Sequence, residues 1–211
     1  MIVQLETPSI DTTQQSTQTP IVGMVQVFTN SSSAPDPQPE RKFFTNVLAQ
    51  ALRIAQQGTK VLVVQFLKGG INQGSQHPTR LGQNLDWLRC NLQRDITGNI
   101  FDLGESELRK SNSEESELGD KSTEITPAEQ SAVAELWQHT QGLVDRGDYA
   151  LIILDELSLA MNLGLIPENL VLEFLNQRPP AIDIIFTGAA MPQEILNIAD
   201  QVTKIRRSHY F

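Results

Sequence analysis

The sequence predicts an α/β fold, a three-layer α/β/α sandwich built on a mostly parallel sheet. Three observations carry that expectation. β-rich runs alternate with amphipathic helical patterns, the spacing that builds a parallel sheet covered on both faces. Residues 61–67 are apolar except for Gln65, as in a strand buried on both sides. Residues 150–156 read Ala-Leu-Ile-Ile-Leu-Asp-Glu, so an apolar strand ends in two carboxylates, Asp155 and Glu156. The carboxyl ends of parallel strands are where such sheets hold ligands.

The elements follow in order. Residues 23–29 (Gly-Met-Val-Gln-Val-Phe-Thr) read as the first strand. Segment 30–40 carries Pro35, Pro37 and Pro39 among serines, which neither continues a strand nor opens a helix early. A helix is expected over 42–57, where Phe44, Val47, Leu48, Ala51, Leu52 and Ala55 recur at three- and four-residue steps. Gly58 stands at its stop. The strand 61–67 ends at Gly69-Gly70, and 71–84 read as loop. Leu85, Leu88 and Leu92 predict a short helix, and 99–103 a brief strand. Residues 104–124 are rich in Glu and Ser and predict a flexible acidic loop. Thr126-Pro127-Ala128-Glu129 is a helix start, with a capping hydroxyl, Pro at the first position and Glu at the third. Ala132, Leu136, Trp137, Leu143 and Val144 form its buried stripe, and Gly147 ends it. After strand 150–154, a helix from Pro167 to about Asn176, a strand 182–186, a helix 193–199 and a strand 202–206 complete the chain.

The 211 residues fit one domain, 21–211, preceded by a tail at 1–20 rich in Gln, Thr and Ser. Neither repeats nor a second boundary are visible. No stretch approaches the ~20 apolar residues of a membrane span, and the tail lacks a signal-peptide pattern, so the chain reads as cytoplasmic. Cys90 is the only cysteine, which excludes an intrachain disulfide and a cysteine metal cluster. It reads as a buried small hydrophobe, and Trp87 and Trp137 as core. His77, His139 and His209 lack zinc-type spacing. The net charge of −9 argues against nucleic-acid binding, which needs a surplus of Lys and Arg. Residues 102–135 hold ten acids against three bases, so the rest of the chain is near neutral.

Acids in the position of Asp155 and Glu156 can hold a Mg²⁺ ion or its bound water. The plain alternative is that they are solvated, or cap the next helix through Ser158.

Several phrases resemble the P-loop corrinoid adenosyltransferases of the CobA/BtuR type, over about residues 21–207. They are Met24 to Thr29; Arg53-Ile54-Ala55-Gln56-Gln57-Gly58; Gln65-Phe66-Leu67-Lys68-Gly69; Leu136-Trp137-Gln138-His139; Leu154-Asp155-Glu156-Leu157; Asn176-Gln177-Arg178-Pro179; Thr187-Gly188; and Ala199-Asp200-Gln201-Val202-Thr203. The resemblance implies a P-loop NTPase-like domain that transfers an adenosyl group from ATP to a reduced corrinoid. It implies Mg-ATP and corrinoid as ligands, and homodimer formation. Carried over to this chain, it places Thr29, Lys42, Thr45, Thr187 and Gly188 on the nucleotide, Asp155 and Glu156 on Mg²⁺, and Lys68 and Phe101 on the corrinoid side.

The chain departs from that pattern where the phosphates should sit. The family's first loop has Gly-x-Gly-Lys-Gly-Lys-Thr-Thr character, and its N–H groups, lysine and hydroxyl hold phosphate and Mg²⁺. Here no glycine occurs between Gly23 and Gly58. Counting back from Arg53 puts Phe43 at the lysine position, and Phe44 and Thr45 at the two hydroxyl positions. The corrinoid-covering segment is replaced by Phe101-Asp102-Leu103 and acidic low complexity. Thr187-Gly188 is followed by Ala189 rather than Arg, and the family's C-terminal extension does not follow Phe211. The favoured reading is a homologue that has lost ATP turnover and acts as a binding or regulatory protein without a cofactor, the segment 104–124 serving a protein partner. The alternative is an active adenosyltransferase with an atypical phosphate loop.

Overall fold

A computed structural model describes residues 22–30, 37–70, 74–96 and 124–205, with the backbone alone given for 37–43 and 205. The tail 1–20, the strand expected at 99–103, residues 104–123 of the acidic loop, Phe101 and His209 lie outside the described residues.

Seven strands form one sheet: β1 (Val25–Asn30), β2 (Val61–Gln65), β3 (Thr79–Arg80), β4 (Leu85–Arg89), β5 (Leu151–Asp155), β6 (Asp183–Thr187) and β7 (Gln201–Ile205). Their order is β3-β4-β2-β5-β6-β1-β7. Every neighbouring pair is parallel except β3 with β4. The helices are α1 (Pro37–Gln56), α2 (Pro127–Asp145), α3 (Leu157–Asn162), α4 (Glu168–Gln177) and α5 (Gln193–Ile198).

The chain leaves β1 in one direction across the sheet and returns through β5 and β6 in the other. Right-handed crossovers then place the two sets of helices on opposite faces. Val47, Ala51 and Ala55 of α1 pack on Val61, Val63, Ile153 and Ile185. The other face carries α2 to α5, whose Leu136, Trp137, Leu157, Phe174 and Ile195 meet Leu62, Val64, Ile152 and Leu154. Because β2 and β5 are covered on both sides, all five residues of each are buried. This is the expected α/β sandwich.

Two expectations are corrected. The leucines 85, 88 and 92 do not make a helix: Leu85–Arg89 is strand β4, beside β2. Leu85 joins the core under α1 and Leu88 the core on the opposite face, so a three-residue step is satisfied by a pleat with both faces covered. The first helix begins at Pro37, not near residue 42. Proline is tolerated in the first turn, where its missing N–H has no intrahelical partner to lose. Helix α3 carries no periodic signal, because Leu157, Ser158, Leu159, Ala160 and Met161 are buried all round.

The start of α2 is as the sequence implies. Thr126 accepts from the Glu129 N–H at 3.2 Å, and Glu129 accepts from the Thr126 N–H at 2.9 Å. Glu129 also takes Arg94 in a fork, at 2.6 Å from Nε and 3.0 Å from Nη2. The Arg94 hydrogen bonds, opposed by burial, lower the Glu129 carboxyl from its ordinary 4.5 to about 2. The folded state therefore binds fewer protons than the unfolded state between those values. This stabilisation is present above pH 4.5 and is lost as pH falls toward 2. Glu129→Gln should flatten the acid limb of the stability curve in that window. The change should be on the order of 1 kcal/mol for a pair partly open to water, read by urea melts at several pH values.

Candidate functional site

The carboxyl edge of the sheet carries a polar row set by strand register. Arg89 stands opposite Gln65, Gln65 opposite Asp155, and Asp155 opposite Thr187. These residues follow Trp87, Val63, Ile153 and Ile185 on the α1 side of the sheet, two positions back in each strand. The Gln65 carboxamide takes Trp87 Nε1 at 3.1 Å and Arg89 Nε at 2.8 Å on its oxygen. Two donors on that oxygen fix the amide's orientation. Its NH₂ then donates to Asp155 Oδ2 at 2.7 Å, and the Thr187 hydroxyl donates to Asp155 Oδ1.

Glu156 enters α3 from a left-handed backbone, φ 62°, an uncommon conformation for a residue with a Cβ. Its N–H is held by the Thr187 carbonyl at 2.9 Å, and its carboxylate lies 3.1 Å from Lys68 Nζ. Lys68 Nζ is also 4.0 Å from Asp155 and 5.6 Å from the centre of the Phe44 ring. Phe44 in turn leans on Trp87, over which Arg89 lies at 4.7 Å.

The acids are neither solvated nor capping: Asp155 is 3% exposed and Glu156 4%, and Ser158 donates instead to the Ala189 carbonyl at 2.8 Å. Burial pushes Glu156 up to about 8, with the Asp155 charge adding to it and Lys68 opposing. Burial likewise raises Asp155. For Lys68, burial alone would lower the value, but the charges of Glu156 and Asp155 prevail and raise it. Burial takes the Cys90 thiol up to about 12, consistent with an inert core residue.

Asp155, Glu156, Lys68 and Thr187 thus come together, and Gly188 adjoins them. At φ +146° Gly188 runs so close to α3 that a Cβ would overlap the Ser158 hydroxyl. Thr29 does not join them. It shares a face of β1 with Val25 and Val27, which face the α2–α5 side, so it points away from Asp155. Thr45 is exposed on α1, and Lys42 lies in the part of α1 described by backbone alone. The sequence reading did not single out Gln65, Arg89, Phe44 or Asn30 as site residues, and took Trp87 for core. One signal was available: Gln65 is the single polar residue in an otherwise apolar strand. The Asn30 side chain and the Thr29 hydroxyl, both buried at the end of β1, have no hydrogen-bond partner among the described residues.

A phosphate cradle does not fit the start of α1. In a helix beginning at Pro37, the N–H groups from Arg41 onward are spent on carbonyls four residues back. Of the four helical residues before them, Pro37 and Pro39 have no N–H, and Glu40 brings negative charge to the end that favours anions. A resident Mg²⁺ fits poorly as well. Both oxygens of Asp155 accept hydrogen bonds and Glu156 faces an ammonium. Among the described residues no three His, Cys, Asp or Glu could hold a metal ion. No helix among them is long and apolar enough to cross a membrane.

Comparison with known proteins places these features. The family described as ATP:corrinoid adenosyltransferase BtuR/CobO/CobP matches residues 44–211, so the match begins at the first hydroxyl position counted back from Arg53. The corrinoid adenosyltransferase of Escherichia coli (strain K12) is 26% identical over 162 residues, 77% of this chain and 69% of that protein. The corrinoid adenosyltransferase CobA of Salmonella typhimurium is 30% identical over 84 residues, 40% of this chain and 43% of that protein. An uncharacterized protein of Nostoc sp. is 32% identical over 87 residues, 41% of this chain but 23% of its own length.

Proposed function

Because the chain belongs to the ATP:corrinoid adenosyltransferase family, we propose that it is a member that no longer turns over ATP and acts as a non-catalytic binding or regulatory protein. One observation carries this reading: in α1 the N–H groups from Arg41 onward are bonded within the helix, and Pro37 and Pro39 in the turn before them have none. A phosphate cradle supplies several charge-assisted hydrogen bonds, the strong kind. Losing most of them costs several kcal/mol, or roughly three decades of affinity at ~1.4 kcal/mol per tenfold. In this reading residues 21–211 act as one domain in the cytoplasm, form a homodimer, and offer the acidic segment 104–124 to a protein partner.

A second reading is favoured by the Thr29 hydroxyl and Asn30 carboxamide, which have no partner among the described residues, since buried polar groups ordinarily have partners. They would be satisfied by a ligand. The chain would then be an active enzyme, with Thr29, Lys42, Thr45, Thr187 and Gly188 toward ATP, Asp155 and Glu156 toward Mg²⁺, and Lys68 and Phe101 toward the corrinoid.

Calorimetric titration with MgATP, followed by a corrinoid transfer assay, separates the two. The expected result is no heat and no thermal stabilisation at millimolar MgATP, and no adenosylated product. Micromolar binding that Glu156→Ala weakens, together with product formation, would establish the enzyme reading instead.

A further inference from the structure

We propose that Lys68 is the resident cation of the buried acid pair, closing it to Mg²⁺. The inference rests on the reading that the site no longer handles a metal-bound triphosphate. Asp155 and Glu156 are adjacent and both buried. Negative charge on either is disfavoured there unless a cation compensates it. A lysine ammonium is a compact point charge suited to that place.

The geometry holds Lys68 there from three sides. Its ammonium lies 3.1 Å from Glu156 and 4.0 Å from Asp155, and rests 5.6 Å from the Phe44 ring centre. Phe44 is steadied by Trp87, with ring centres 5.9 Å apart. The negative face of an aromatic ring attracts a cation. The charge of Asp95 also favours the ammonium. Meanwhile Gln65 and Thr187 occupy the two Asp155 oxygens, and Trp87 and Arg89 hold Gln65 in place. A Mg²⁺ ion demands near-octahedral oxygens at about 2.1 Å and keeps several of its waters. At the Glu156 oxygen that faces Lys68 it competes with the ammonium and its aromatic seat. Phe44 is the residue that counting from Arg53 puts at a hydroxyl position of the family's loop. Lys68 thus serves as the tethered cation of the pair, and Phe44 at that position is what seats it.

The test uses the full chain and the metal alone, with no nucleotide. Thermal melts are recorded in chelator and in roughly 10 mM Mg²⁺ or Mn²⁺ for the parent and for Lys68→Met. The parent should melt within about 1 °C in both media. Lys68→Met should melt several degrees lower in chelator and regain a large part of that loss with Mg²⁺ or Mn²⁺. Adding Glu156→Gln to Lys68→Met should abolish the metal response. A parent stabilised by Mg²⁺ as strongly as the variant would overturn the proposal, as would a variant that no divalent cation rescues. If Lys68→Met does not fold, Mn²⁺ binding to the parent decides by electron spin resonance. An unchanged free-ion signal supports the proposal, and tight uptake that Glu156→Gln removes refutes it. MgATP binding without binding of the metal alone would sink the non-catalytic reading and leave this assignment standing.

Discussion

Gly69→Ala should lower stability by about 3 kcal/mol, the upper range for forcing atoms into a packed site. Gly69 follows Lys68 in the turn after β2. A Cβ there would overlap the Leu92 carbonyl oxygen and lie 2.7 Å from its carbon. The obstacle is backbone, so no rotamer change relieves it. The two segments are also tied to each other: the Leu92 carbonyl accepts from the Gly70 N–H at 3.1 Å, and the Leu67 carbonyl accepts from the Ile96 N–H at 3.1 Å. Moving Leu92 away would break these bonds and carry Lys68 off the acids. The urea midpoint should fall with the slope unchanged. A variant within about 0.5 kcal/mol of the parent would mean that this close approach is absent in solution.

Trp137→Ala should cost about 3–5 kcal/mol, the range for truncating a large buried aromatic. Trp137 is 3% exposed on α2, and its ring lies 6.2 Å from Phe66 and 5.1 Å edge-on from Phe174. It packs α2 and α4 against Phe66, which follows β2 and precedes Lys68 by two residues. Its indole N–H has no partner among the described residues. A buried donor left unmade is costly, so Trp137→Phe removes a penalty along with some volume. That variant should stay within about 1 kcal/mol of the parent. Equal losses for the two variants, in the same urea melts, would show that the N–H is bonded and that ring volume is not what matters.

Much of the site was legible because strand ends announce themselves. An apolar run that stops at Asp155-Glu156 places two acids at the carboxyl edge whatever the partner strands are. Lys68, just past a strand of similar character, follows by the same reasoning. The resemblance in Gln65 to Gly69 and in Leu154 to Leu157 pointed to the family that residues 44–211 match. The missing glycines after Thr29 were legible as well. What replaces them was not, because prolines in a first helical turn and prolines in a loop read alike. Leu85 and Leu88 misled because a three-residue step suits one face of a helix, and equally suits two opposite faces of a covered strand.

The sequence by itself determined the alternation of strands and helices, the capped start of α2 at Thr126, the acids at 155 and 156, and the loss of a glycine cradle. These are local: each follows from the propensity, the periodicity or the hydrogen-bonding groups of neighbouring residues. Only the tertiary structure decided that the acids are buried rather than solvated, and that Gln65, drawn by Trp87 and Arg89, turns its NH₂ to Asp155. It also decided that Thr29 faces away from them, while Phe44 and Lys68 close over them. Those outcomes depend on register between strands far apart in the chain and on which face of the sheet α1 covers. Such choices are settled by packing and by the need to compensate buried charge, neither of which any short stretch of sequence contains.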